Sequence, residues 1–119
     1  MNKFMFLWLF SFLLTSNLQA VWNTGNNLVG DMREYDKWEN GNRDVDFYKS
    51  ASFSSYISGV ADTMIDASYI CIPEGVNSGQ VFGIVKKYIK NNPEKWNIPA
   101  SHLVIQPLLD AFPCKQEKK

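Results

Sequence analysis

His102 is the only histidine in this chain, and cysteine is almost as scarce, with Cys71 and Cys114 alone. A lone imidazole without a clustered partner gives no nucleophile and base pair, and no group of His, Cys and carboxylate residues stands at metal-ligand spacing. Gly25, Gly30, Gly41, Gly59, Gly75, Gly79 and Gly83 are scattered, so no phosphate-cradling loop is written into the chain. An excess of charge is missing too, since 12 Lys and Arg balance 12 Asp and Glu. Nucleic acid and anionic membranes favour clustered basic surface, so neither is expected as a partner. Internal repeats and low-complexity blocks are absent. The carboxylates are densest in residues 33–46, where a solvated face accounts for them without paired acid and base roles. These absences point to a binder and not an enzyme, with no cofactor and no metal.

What is present begins with an N-terminus ordered like an export signal. Lys3 is followed by an apolar run over residues 4–14 broken only by Ser11, then by a more polar stretch and the small residue Ala20. That order predicts a signal peptide over residues 1–20, although Leu18 is larger than is usual three positions before a cut. A retained anchor is the rival reading, but the run falls well short of the ~20 apolar residues that span a bilayer. Cleavage would leave a single domain over residues 21–119 with 11 basic and 12 acidic side chains. In an exported chain of two cysteines, Cys71 and Cys114 are expected to pair. The oxidising periplasm is where such a bond persists, and a small domain with a modest core gains from it.

The apolar spacing is helical almost throughout, which predicts an all-α fold, a small domain of four to five helices with one disulfide. Over residues 47–67, Phe53, Tyr56, Ile57, Val60 and Met64 recur at three- and four-residue intervals and define a core face. Gly59 within this stretch is expected to allow a close helix crossing. Asn77, with Gln80 three residues on and Val76 facing Val81, forms a helix start of the capping-box kind. Val81, Ile84, Val85, Tyr88 and Ile89 continue it as an apolar stripe, and Pro93 ends it. A last helix is expected to open at Pro99 and run toward Phe112, kinked or broken at Pro107. Residues 33–46, rich in charge and containing Asn40-Gly41-Asn42, read as a solvated connection after a short helix over residues 26–32. Residues 90–99 read as a Pro-bounded loop carrying Trp96, either an interface anchor or a side chain folded back onto the domain.

Several segments together, in order and spacing, resemble the Rap/Tai immunity proteins. They are Gly25-Asn26-Asn27-Leu28, Ser55-Tyr56-Ile57-Ser58-Gly59-Val60-Ala61-Asp62, Cys71-Ile72-Pro73-Glu74-Gly75-Val76, Gln80, Asn92-Pro93-Glu94, Ala100 with Leu103-Val104, and Phe112-Pro113-Cys114. The resemblance implies a small helical periplasmic protein, often a homodimer, that protects bacteria by occluding the active site of a type VI secretion peptidoglycan amidase effector. It places the inhibitory loop at residues 91–97, with Asn92, Glu94, Lys95 and Trp96 as the effector-binding residues. Pro93 would stiffen that loop and lower the ordering cost of binding.

The chain departs from the family pattern at several points. Additional cysteines common in the family are replaced near Met32 and Phe53, Pro107 stands where a small helix-compatible residue is more frequent, and Ser55 stands in place of a glycine. Trp96 replaces a common basic residue, which implies a different contact chemistry. A small disulfide-bonded acid-stress chaperone of the periplasm is the alternative from another class. It would unfold in acid and bind many clients.

Overall fold

A computed structural model describes residues 22–115. The expected signal peptide lies outside the described residues. Within them the secondary structure is four α-helices, α1 (Gly25–Glu39), α2 (Phe47–Asp66), α3 (Ser78–Asn91) and α4 (Ala100–Ala111), with one 3-10 turn, Pro93–Lys95, between α3 and α4. Together with the disulfide this is the all-α architecture the spacing predicts.

Each helix start has its own chemistry. Thr24 Oγ1 accepts the amide of Asn27 at 3.2 Å, and Asp46 Oδ1 accepts that of Lys49 at 3.1 Å. At α3 the capping box is complete, with Asn77 Oδ1 accepting from Gln80 N and Gln80 Oε1 accepting from Asn77 N. Pro99 precedes α4 and offers no side-chain cap, so the Ala100 amide donates instead to the carbonyl of Asn23 at 3.1 Å.

The ends of α1 and α2 share one hydrogen-bond pattern. After α1, Gly41 N donates to Trp38 O and Asn42 N to Lys37 O, with Gly41 at φ 72°. After α2, Ser68 N donates to Ile65 O and Tyr69 N to Met64 O, with Ser68 at φ 60°. Both are Schellman closures, which need a left-handed residue just past the helix.

The core joins Leu28, Val29 and Met32 of α1, Phe53, Ile57 and Met64 of α2, Val81, Val85 and Ile89 of α3, and Leu103, Val104 and Leu108 of α4. Each large apolar side chain fully buried here contributes about 1.5–3 kcal/mol relative to exposure. Met32 and Phe53 lie in this cluster, so apolar packing occupies the place where relatives are expected to carry a further crosslink.

Three local expectations are corrected. The first helix does not stop near Met32. It continues to Glu39 because Tyr35, only 7% exposed, extends the stripe of Leu28 and Met32, and the surrounding charges face outward or toward α3. The solvated connection shrinks to residues 40–46. Gly59 does not mark a close crossing, since a Cβ there would meet nothing within 4 Å. Pro107 does not end α4, which runs on to Ala111. Proline leaves the Leu103 carbonyl without its helical donor, but Pro107 is buried between Val104 and Leu108, and this packing holds the helix together.

Asp36 and Glu39, two of the charges that read as a solvated run, belong to a cross-helix network, while Glu34 pairs with Lys37 within α1. Lys86 of α3 donates to Asp36 at 2.8 Å and to Glu39, and Lys90 reaches Asp36 at 2.7 Å. Burial alone would raise the Asp36 carboxyl, but hydrogen bonds from Lys86 and Lys90 outweigh it and hold the group below its ordinary value.

Cys71 and Cys114 form the disulfide, with Cα atoms 4.8 Å apart, and Cys71 N donates to Phe112 O at 3.0 Å beside it. It ties the α2–α3 connection to the segment after α4.

Two stability measurements test this description. Replacing both cysteines with serine is expected to cost about 2–4 kcal/mol in urea unfolding, from the loop of 43 residues that the bond closes. Asp36→Asn is expected to cost about 1 kcal/mol at neutral pH, the scale of a partly exposed pair. A carboxyl held low in the folded state stabilises above its unfolded value of about 4, and that contribution fades as pH falls through the folded value. The gap between wild type and Asp36→Asn should therefore close in acid, as read from unfolding midpoints at several pH values.

Candidate functional site

The four residues expected to bind a partner gather on the 3-10 turn and its edges. Asn92 caps α3, with its amide donating to Ile89 O at 3.2 Å and its side-chain Nδ2 to Tyr88 O at 2.8 Å. Pro93 opens the turn, where its missing amide costs no helical bond. Lys95 N then donates to Asn92 O, Trp96 N to Pro93 O and Ile98 N to Lys95 O, so three backbone bonds brace the turn. Trp96 is half-buried against the core, and its indole Nε1 donates to Ile89 O at 2.8 Å. Of the two readings of this tryptophan, the structure has it folded back. One face remains near Arg33, whose guanidinium lies 5.7 Å from the ring centroid. Glu94 is exposed.

The turn is also held from below by α1. Gly25 N donates to Ile98 O at 2.8 Å, and Thr24 bridges to Pro99. A Cβ at Gly25 would lie 2.5 Å from the Trp96 carbonyl oxygen and 2.9 Å from that of Ile98. Backbone oxygens cannot move aside as a side chain can, so only glycine fits here.

Beside the turn, Lys95 Nζ donates to the Tyr88 hydroxyl at 3.1 Å and lies 5.4 Å from the ring centroid. That hydrogen bond, before any other influence, raises the Lys95 amine above its ordinary value and keeps it cationic. The pair stands at the mouth of a groove of about 350 Å³ that His102, Ile105 and Gln106 of α4 complete. His102 is exposed, as befits a lone surface histidine.

A second groove, of about 730 Å³, runs between α2 and α4. Tyr56 and Val60, expected in the core, line it half-buried beside the buried Met64, and Ile105 and Leu109 of α4 line it too. Gly59 opens its floor. Sequence reasoning missed this groove and the part of Tyr88, because both depend on how α4 is rotated against its neighbours. The outward residues His102, Ile105, Gln106 and Leu109 do carry helical spacing, which was the one available signal.

Among the described residues, no group of three or more His, Cys, Asp or Glu could hold a metal ion, and no helix is long and apolar enough to cross a membrane. A braced turn beside preformed grooves, on a disulfide-closed helical body, defines a small binding domain. Residues 24–114 match the Rap1a immunity proteins, and the chain belongs to that family. No curated protein and no solved structure matches it.

The glycine beneath the turn is open to test. Gly25→Ala is expected to lose about 1–3 kcal/mol in urea unfolding, as overpacking against backbone does. Gly30→Ala, where a Cβ meets nothing within 4 Å, should instead gain up to about 1 kcal/mol from helix propensity.

Proposed function

We propose that this chain is a periplasmic immunity protein that binds a type VI secretion peptidoglycan amidase effector and covers its active-site cleft with the turn at residues 92–96. Membership of an immunity-protein family supports the protective role. The observation that carries the mechanism is the bracing of the turn: its backbone and the Trp96 indole are hydrogen-bonded before any partner arrives. A loop ordered in advance loses little conformational freedom on docking, so more of the contact energy remains as affinity. Blocking a cleft needs shape and polar complementarity and no chemistry of the inhibitor's own, so the chain acts as a binder without catalytic residues or cofactor. Of the four proposed contacts, Glu94 and Lys95 offer their charges to the partner. Asn92 and Trp96 hold the turn in shape and lend only their remaining surface.

In this reading residues 1–20 direct export and are removed. The domain over residues 21–119 then works in the periplasm, where oxidising conditions keep Cys71 and Cys114 joined. A homodimer belongs to the same proposal. Trp38 and Phe47, both more than half exposed and lining one groove between α1 and α2, form an aromatic surface suited to a second copy.

Co-expression in the periplasm with candidate amidases, scored by lysis, tests the proposal. Wild type is expected to protect against one of them, and protection should fall on replacing residues 92–96 with glycine and serine. Glu94→Arg, which leaves the internal bonds of Asn92 and Trp96 untouched, is expected to weaken protection with an unchanged circular dichroism spectrum. Full protection by both variants would move the contact elsewhere.

A further inference from the structure

The outer face of α4 has a composition that the fold does not require. Leu103, Val104, Pro107 and Leu108 face the core, and Ile105 and Leu109 are left on the other side. Leu109 is 36% exposed, and Tyr69 across the groove is 67% exposed. The Tyr69 backbone is fixed there. Its amide is bonded to Met64 O at 2.8 Å, and the neighbouring Ser68 carbonyl lies 3.7 Å from Cys114 Sγ. The groove is therefore preformed, with both rims anchored.

Ile105 lines this groove and also the smaller one beside Lys95, so the two are adjacent, and Lys95 stands on the turn itself. Among the described residues Lys95 has no carboxylate partner and donates only to the Tyr88 hydroxyl, and of the described lysines without an ion pair that lie within the helical body, which include Lys49 and Lys87, it is the one that lines either groove. Asp110, the acid nearest along α4, is bonded to Gln106 Nε2 at 3.0 Å.

We propose that the amidase effector is held by this face as well as by the turn. One of its bulky apolar side chains seats in the α2–α4 groove, and a carboxylate from the same segment binds Lys95. The inference rests on the amidase reading above and names the chemistry of the partner's second contact. A second copy of this chain fits less well. A two-fold contact sets the same surface against itself, and neither groove is lined by an acidic residue that could meet Lys95. A partner that brings its own carboxylate gains a charge-assisted hydrogen bond to a cation already positioned.

The test uses the mature full chain and the amidase identified by the protection assay, with affinity measured by isothermal titration calorimetry. Leu109→Asp and Lys95→Glu are each expected to weaken binding by about tenfold or more, the scale of a buried anchor or a close charge pair. Lys95→Arg is expected to keep most of the affinity. Tyr69→Ala, on the opposite rim at an exposed position, provides a second groove variant should Leu109→Asp fail to fold. Wild-type affinity in the groove variants and in Lys95→Glu would overturn the inference. So would a loss of self-association at unchanged affinity, which would give the groove to a second copy. If wild type binds no amidase, the functional reading fails first and the inference falls with it, a result visible before any variant is made.

Discussion

At Gly25 the first residue of α1 passes under the carbonyls of Trp96 and Ile98 at a distance that excludes any side chain. Around that approach the chain is sewn together: Gly25 N bonds to Ile98 O, Ala100 N bonds to Asn23 O, and Thr24 bridges to Pro99. The start of α1 thereby supplies the amide partner that Pro99 cannot, and α4 begins where α1 begins. Displacing this contact would loosen the turn, the entry of α4 and the core residues of both helices at once. The shape of the candidate binding surface therefore depends on a residue with no surface of its own.

Three kinds of link then divide the work. Apolar burial joins all four helices and supplies the driving force. The Lys86, Asp36, Glu39 and Lys90 network sets α3 against α1, adding orientation more than stability, as partly exposed pairs do. The disulfide acts at the far end, tying the α2–α3 connection to the close of α4 and holding Tyr69 at the rim of the apolar groove. A chain this small has a limited core, and the covalent tie adds stability by restricting the unfolded chain.

The same constraints bear on the proposed function, in which the chain blocks a partner without chemistry of its own. Rigidity at the turn and preformed grooves on α4 leave little to reorganise on binding. On the reading proposed above, selectivity lies in a few charges, Glu94 and Lys95 at the turn, and in the apolar residues on the outer face of α4. Trp96, which stands where the family resemblance leads one to expect a basic side chain, gives most of its area to the fold and only a remainder to a partner.

The all-helical class, the capping box at Asn77, the long helix after Asp46, the pairing of Cys71 with Cys114 and the turn bounded by Pro93 and Pro99 were legible in the sequence by itself. Each is a short-range matter: a cap, a proline or an apolar interval acts within a few residues, and two cysteines admit one pairing. Tertiary structure alone decided that α1 continues to Glu39, since Tyr35 is buried against the other helices and two of the acids there, Asp36 and Glu39, pair with lysines of a helix remote in sequence. It alone gave the demand for glycine to Gly25 and not to Gly59, and kept α4 whole through Pro107. It also chose which face of α4 meets water. Helix rotation and backbone approach are set by packing between distant segments, and no local pattern carries that information.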